Sequence, residues 1–306
     1  MSIESIDQLI HAIANISHVE RPYLENLLAI KKLEIMKEPI DKEHQDALSK
    51  VTMWETQINN LNSWTLQWLI TFCTCGLKTE KQQAEKGLKK AKELVSETEK
   101  QVQAEKDKIH TVELQNEKYS IDYRNLEKYR EEMTVLLDNA LKDHNPTVDT
   151  IKDNIEDCKK RSCEKFNNIE KLEKVKELLK TADTAILEAI LELRSSVVKE
   201  SLMGEGKVYF PELAYNCLKQ AREEYPDLPG FQSPTEYKNE ADNTGAYYSP
   251  MQKYLWDVRH KLAELIIWCD NEALSLLEDE TQIQIELGSK IDEYNTERRK
   301  ILKENI

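Results

Sequence analysis

The sequence predicts an all-α fold: an elongated up-down-up-down bundle of helices roughly 80 to 95 Å long, with a small irregular, aromatic-rich head at one end. Glycine and proline, the residues that turns need, number only 7 and 8 among the 306 residues. Charged residues make up 33% of the chain, a proportion that favours long helices with solvated faces. So little turn chemistry argues against a β-sandwich or a wound α/β enzyme. The prolines also leave long stretches in which nothing interrupts a helix.

The first long helix is predicted over residues 22–76, a length of about 80 Å. Pro39 lies inside it, and we expect a kink or a break there because proline removes a backbone hydrogen bond and clashes with the preceding turn. The helix ends in the segment 61–78, the apolar tip of the bundle, where Gly76 turns the chain.

The second helix is predicted over residues 79–142 by an unbroken 4-3 alternation of core positions through eight heptads, the pattern of a coiled coil. At about 1.5 Å per residue it spans roughly 95 Å. Three core positions are polar, Glu105, Asn116 and Arg130, and polar residues there commonly set register and partner choice. The predicted core positions are Ala84, Leu88, Ala91, Val95, Thr98, Val102, Glu105, Ile109, Val112, Asn116, Tyr119, Tyr123, Leu126, Arg130, Met133, Leu137 and Ala140.

Two further helices are predicted over residues 148–200 and 250–303, each about 80 Å long. Asn145-Pro146 and Ser249-Pro250 precede them, and a capping residue followed by a first-turn proline favours helix initiation. Long helices of similar length joined by short turns pack antiparallel. The predicted core positions are Ile151, Ile155, Cys158, Phe166, Ile169, Leu172, Leu179, Ala182, Ile186, Ile190 and Leu193 in the third helix, and Leu255, Val258, Leu262, Leu265, Cys269, Ala273, Leu276, Ile283, Leu287, Ile291, Tyr294 and Ile301 in the fourth.

We expect one structural domain, in which residues 1–200 supply the first three helices and residues 250–306 supply the fourth. Between them, residues 201–249 form an irregular insert with a short strand over 207–210 and a short helix over 211–225. In an up-down-up-down bundle the insert, the apolar tip and all five tryptophans lie at the same end. The tryptophans are Trp54, Trp64, Trp68, Trp256 and Trp268. This aromatic head is the predicted contact surface, because Tyr and Trp are enriched in interfaces.

The candidate residues for membrane or partner contact lie in this head. On a membrane, the aromatic residues of the tip would anchor in the lipid interface, its cysteines would accept palmitate, and the lysines that follow would meet anionic headgroups. Polar residues interleave the tip, which equally fits the half-buried end of a helix. The candidates are Trp64, Trp68, Phe72, Cys73, Cys75, Lys78, Lys81, Tyr209, Phe210, Phe231, Tyr247 and Tyr248.

Catalytic and metal-binding signatures are thin. The chain has no G-x-S-x-G, phosphate loop, paired C-x-x-C or H-E-x-x-H motif, and none of its histidines follows a glutamate by three residues as a di-iron bundle requires. Cys158 and Cys269 fall at core positions, and Cys217 with a distant histidine is only a generic nucleophile. We therefore expect no catalytic residue, metal or cofactor, although an enzyme site within residues 201–249 stays an alternative.

Charge and targeting signals restrict the class of partner and the cellular compartment. The net charge of −14 disfavours binding to nucleic acid. Glu4 and Asp7 stand where a secretory signal requires positive charge, and the six cysteines show no framework spacing. No stretch reaches the roughly 20 apolar residues of a membrane-spanning helix. These features predict a cytoplasmic protein, or one exported without a signal peptide, with no transmembrane helix in its soluble form.

Two classes of function fit this sequence. The first is a non-enzymatic bundle that acts by binding a protein partner or by self-association, with the aromatic head as its contact surface. The second is a soluble protein that engages lipid through residues 61–78. Its layout over the whole chain, long helices with an apolar segment in a compact head, resembles that of helical pore-forming toxins of the cytolysin A and haemolysin BL type. This resemblance implies conversion on a membrane, although residues 61–77 are shorter and more polar than the hairpin that such toxins insert. A BAR-like membrane-binding dimer also fits the long helices.

Overall fold

A computed structural model describes residues 3–63, 77–140, 145–195, 211–230 and 250–304. All regular structure within these ranges is helical, which confirms the all-α class. The α-helices are α1 (Ile3–Ile16), α2 (Glu20–Asn62), α3 (Leu77–Ala140), α4 (Pro146–Ser195), α5 (Glu212–Glu224) and α6 (Pro250–Glu304), and a 3₁₀ turn (Ser17–Val19) joins α1 to α2. No helix in the described residues holds an apolar stretch long enough to cross a membrane.

The chain forms two compact units, Met1–Lys142 and Asp143–Ile306. The boundary between them falls at the turn that the sequence predicts before Pro146. Packing of the predicted helices against one another is confirmed within each unit. Their assembly into one four-helix domain stays a prediction.

The first unit is an antiparallel helical hairpin. α2 packs along α3, and residues early in α2 face residues late in α3: Glu20 pairs with Arg130, whereas Glu55 pairs with Lys92. α1 packs on α3 rather than on α2 and buries Ile6 and Ile13. The two arms of the hairpin are therefore α1 with α2, and α3.

α2 runs without a break through Pro39. The possibility of a break there is wrong, because α2 stays paired with α3 on both sides of the proline. His44 Nδ1 lies 3.0 Å from the Thr98 hydroxyl on one side, and Glu20 bonds Arg130 on the other. Packing along a partner helix offsets the hydrogen bond that proline removes.

The heptad assignment of α3 is confirmed. All nine buried residues of α3 within its described length fall on predicted core positions; they are Ala84, Ala91, Thr98, Val102, Asn116, Leu126, Arg130, Met133 and Leu137. Ala140, the last residue of the helix, is exposed, so its assignment to the core is wrong. We call the core positions of α3 that face α2 the seam. Since only two arms pack together, several other seam residues stay half-buried, including Ile109, Val112 and Tyr119.

Gly87 lets the two arms of the first unit approach closely. A Cβ atom at this position would lie 2.5 Å from the indole of Trp54 on α2, far inside van der Waals contact. Because Gly87 has no side chain, the surface of α3 has room at this point for the Trp54 ring of α2.

The second unit pairs α4 with α6, also antiparallel. Lys165 bonds Asp279, and Asp183 further along α4 bonds Arg259 nearer the start of α6. The cap predicted for α4 is confirmed, because Asn145 Oδ1 accepts a hydrogen bond from the Thr147 N–H at 3.0 Å. The helix itself begins at Pro146, slightly before the predicted start at residue 148. α5 packs on α4 with a buried face of small residues, Ala214, Cys217 and Ala221.

The main core of the second unit lies where α5 joins the α4–α6 pair. It contains most of the predicted positions, among them Leu172, Leu179, Ile186, Leu255 and Leu262. Beyond α5 the pair continues with its own seam, which includes Ile151, Ile155 and Cys158.

Phe166 is a wrong prediction, since the side chain is 56% exposed. Ser162, four residues after the buried Cys158, is buried instead of Phe166. The Ser162 hydroxyl donates to Glu280 Oε1 at 3.1 Å and accepts from Gln284 Nε2 at 2.9 Å. Hydrogen bonding to α6 thus lets a serine occupy the core position and turns Phe166 towards solvent.

Candidate partner-binding sites

Most of the predicted contact residues lie outside the described part of the chain. This holds for Trp64, Trp68, Phe72, Cys73, Cys75, Tyr209, Phe210, Phe231, Tyr247 and Tyr248. Lys78 and Lys81 lie in the first turns of α3, the former exposed and the latter half-buried. The aromatic head therefore stays a prediction.

Two described tryptophans of the second unit lie on α6. The ring of Tyr225, from the predicted insert, meets Trp268 edge-on with centroids 6.0 Å apart. The Arg259 guanidinium lies 5.0 Å from the centre of the Trp256 ring and also bonds both carboxylate oxygens of Asp183 at 2.7 and 2.9 Å. Burial raises the pKa of the Tyr225 hydroxyl. The ring contact of Tyr225 thus joins the chain just after α5 to α6, whereas the Arg259 bonds join α6 to α4.

Arg130, one of the predicted polar core residues, pairs with Glu20 inside the first unit. The guanidinium donates to both carboxylate oxygens at 2.5 and 2.9 Å. The Arg130 side chain is 7% exposed and that of Glu20 is 13% exposed. Beside the pair, Tyr23 and Tyr123 stack with ring centroids 4.3 Å apart. Burial, followed by the charge of Glu127, raises the pKa of the Tyr123 hydroxyl.

The other two polar side chains of the α3 seam, Asn116 and Glu105, each leave a buried oxygen without a hydrogen-bond partner among the described residues. Asn116 is buried, and its Oδ1 has no hydrogen-bond partner among the described residues. Glu105 accepts a bond from Lys108 Nζ at 2.6 Å on one oxygen, while its buried Oε2 has no partner in the described ranges. Buried acceptors without donors cost stability. Such a cost is typical of residues that select a pairing rather than strengthen it.

An apolar stripe that was not among the predicted surfaces runs along the outside of α3. Leu114, Ile121 and Val135 are 48%, 68% and 51% exposed. They are spaced by one and by two heptads, and Lys128 occupies the position between the last two. All lie two residues after a seam position of the kind that Val112 and Tyr119 occupy, so they face directly away from α2. We call Leu114, Ile121 and Val135 the outer stripe. Heptad numbering would have revealed it, because this position is normally polar.

A groove of about 830 Å³ lies between α4 and α5 in the second unit. Within the described part of the chain its lining is strongly acidic, with a single lysine, Lys174, which bonds Glu224 across the groove at 3.3 Å. Half-buried Leu178 contributes an apolar surface. The acidic residues are Glu170, Glu173, Glu177, Glu223 and Glu224. We call this feature the acidic groove.

The three cysteines considered as core or nucleophile positions are all buried. Cys269 and Cys158 are buried as predicted, and burial raises the pKa of the Cys269 thiol to about 11. Burial also raises the pKa of Cys217, which works against the thiolate that a nucleophile needs. In the part of the chain that the structure describes, no three His, Cys, Asp or Glu residues are placed to hold a metal ion.

Comparison with protein-family models, with curated proteins and with solved structures finds no match to this chain. The described surfaces are therefore the evidence for function.

Proposed function

We propose that the chain is a non-enzymatic helical protein that acts by assembly, with α3 pairing through the outer stripe with the same helix of a second copy. The observation that carries this proposal is the heptad spacing of three large aliphatic side chains, Leu114, Ile121 and Val135, on the face opposite the seam. A helix with two apolar stripes serves two neighbours. α2 covers the first stripe, and a partner helix covers the second.

A second copy suits the outer stripe because identical stripes complement each other around a two-fold axis. The residues beside the stripe on α3 carry charge of both signs, including Glu117, Lys118, Arg124 and Glu131. Such residues form the polar rim of a helix–helix interface and restrict its register.

The energy available from the stripe is modest. Fully burying one Leu, Ile or Val side chain is worth about 1.5–3 kcal/mol, and roughly half of each outer-stripe side chain is already covered. Pairing would therefore gain about 2–4 kcal/mol per chain from the stripe. Association costs at least as much in lost freedom. The stripe thus anchors a larger interface, and the predicted aromatic head is the proposed additional contact surface.

The test is sedimentation velocity of the full chain over a series of concentrations up to the high micromolar range. Wild type should show reversible self-association, which the triple substitution L114Q/I121Q/V135Q removes. The matched control, M36Q/L48Q/M53Q, makes the same kind of change at exposed residues of α2 and should leave association intact. A wild-type chain that stays monomeric, or a control variant that loses association equally, would overturn the proposal.

A further inference from the structure

We infer that the acidic groove of the second unit is a docking site for a basic amphipathic helix of a partner protein. It lies on α4 and α5, so the inference does not depend on the outer stripe. α5 approaches α4 closely because its buried face consists of Ala214, Cys217 and Ala221. The two helices therefore form the walls of an open surface groove of about 830 Å³, which could accommodate an elongated ligand lying along it.

The spacing of the carboxylates fits a helical ligand. Glu170, Glu173 and Glu177 follow one another at three and four residues on α4, so they line one face over about two turns, or roughly 10 Å. A single cation would need ligands converging on one point. Carboxylates drawn out along a helix instead match lysine or arginine residues repeated at the same spacing on a second helix.

Charge in the groove is only partly neutralised within the chain. Lys174 bonds Glu224 at 3.3 Å, and Lys180 bonds Glu177 at 3.0 Å. Glu170 and Glu173 form no ion pair with any residue that the structure describes. A cleft lined by one sign of charge concentrates its field and attracts ligands of the opposite sign. The unpaired carboxylates therefore favour a basic partner.

Apolar surface completes the site. Phe166 lies four residues before Glu170, on the same face of α4, and is 56% exposed. Leu178 lies at the other end of the acidic series and is half-buried. An exposed aromatic residue at one end of the acidic series and an aliphatic one at the other match a helix with apolar residues beside its basic ones. A ligand that carried charge alone would leave Phe166 in water.

The probe is a fluorescein-labelled synthetic helix with a leucine face flanked by lysines, and the readout is fluorescence anisotropy with the full-length chain. E170Q/E173Q/E177Q should weaken binding about tenfold, the combined effect of three exposed charge pairs. The control E85Q/E97Q/E99Q removes the same charge from exposed positions of α3 away from the outer stripe and should change binding less than about twofold.

Phe166→Ala separates docking from general charge attraction. The variant keeps every charge, and its side chain is exposed, so we expect an unchanged thermal transition and peptide binding weakened about fivefold through lost apolar contact. The inference is overturned if wild type does not bind the lysine–leucine helix at low salt. It is also overturned if the α3 control weakens binding as much as the groove variant, or if Phe166→Ala binds like wild type.

Discussion

Replacing Glu20 by glutamine removes the counter-charge of Arg130 in the first unit. The two side chains are 13% and 7% exposed and share two hydrogen bonds of 2.5 and 2.9 Å. In Glu20→Gln the guanidinium keeps its charge while its ionic partner becomes a neutral amide. Breaking a buried pair on one side costs about 3–5 kcal/mol. Because glutamine retains one acceptor, we expect a loss near the lower limit, about 3 kcal/mol.

The assay is urea and thermal unfolding followed by circular dichroism. For a unit of this size, a loss of about 3 kcal/mol lowers Tm by about 10 °C. Glu25→Gln is the matched control, since Glu25 pairs with Arg21 at 3.9 Å on the surface; its effect should stay below about 1 kcal/mol.

The double variant E20M/R130M tests whether the Glu20–Arg130 pair stabilises the first unit or instead serves to select which helices pair. Apolar residues of similar volume remove both buried charges, and such replacements are commonly neutral or stabilising. We expect E20M/R130M to recover most of the stability that Glu20→Gln loses. Equal loss in Glu20→Gln and Glu25→Gln would refute this reasoning, because it would show that Arg130 does not depend on its buried partner.

Three further predictions follow from the packing. Gly87→Ala should lower the free energy of unfolding by about 1–2 kcal/mol, since overpacking against Trp54 outweighs the gain in helix propensity; urea unfolding measures it, and a more stable variant would contradict it. Asn116→Leu should raise stability by about 1 kcal/mol, because it removes the unpaired buried carbonyl oxygen; the same assay applies, and destabilisation would show that the amide is satisfied. Burial holds the pKa of Cys269 near 11, above its ordinary value of 9.0, so the folded chain keeps a proton that the unfolded chain releases. Stability should therefore fall as pH rises from about 9 to 11, and less steeply in Cys269→Ala; identical pH profiles would contradict the assignment.

The helical pattern could be predicted because periodicity is local. In α3 the buried residues, from Ala84 to Leu137, occupy the positions that the 4-3 alternation assigns. A hydrophobic stripe that repeats every seven residues has only one face to bury, so no knowledge of the partner helix is needed.

Long-range partners could not be predicted in the same way. The bond between Glu20 and Arg130 joins residues 110 positions apart, and periodicity does not say which acid meets a buried base. Phe166 was misassigned because hydrophobicity alone favours it over Ser162. The hydrogen bonds of Ser162 to α6 become visible only when α4 and α6 are side by side.

Of the two candidate surfaces, the outer stripe could have been predicted from the sequence, whereas the acidic groove could not. Position counting from Asn116 identifies Leu114 and Ile121 as apolar residues on a face that is normally polar. The groove needs α5 placed against α4, and α5 is too short for its pattern to reveal a partner.

The most direct test of assembly through α3 is photo-crosslinking from position 121 in an equal mixture of ¹⁴N- and ¹⁵N-labelled chains. A benzoylphenylalanine residue replaces Ile121 in one protein and Met36 in a matched control, and mass spectrometry reads the isotope composition of each crosslink. Assembly through α3 predicts crosslinks of mixed isotope composition from position 121, joining α3 of one chain to α3 of another, and far fewer from position 36. Crosslinks confined to single chains, or equal mixed crosslinking from both positions, would contradict it.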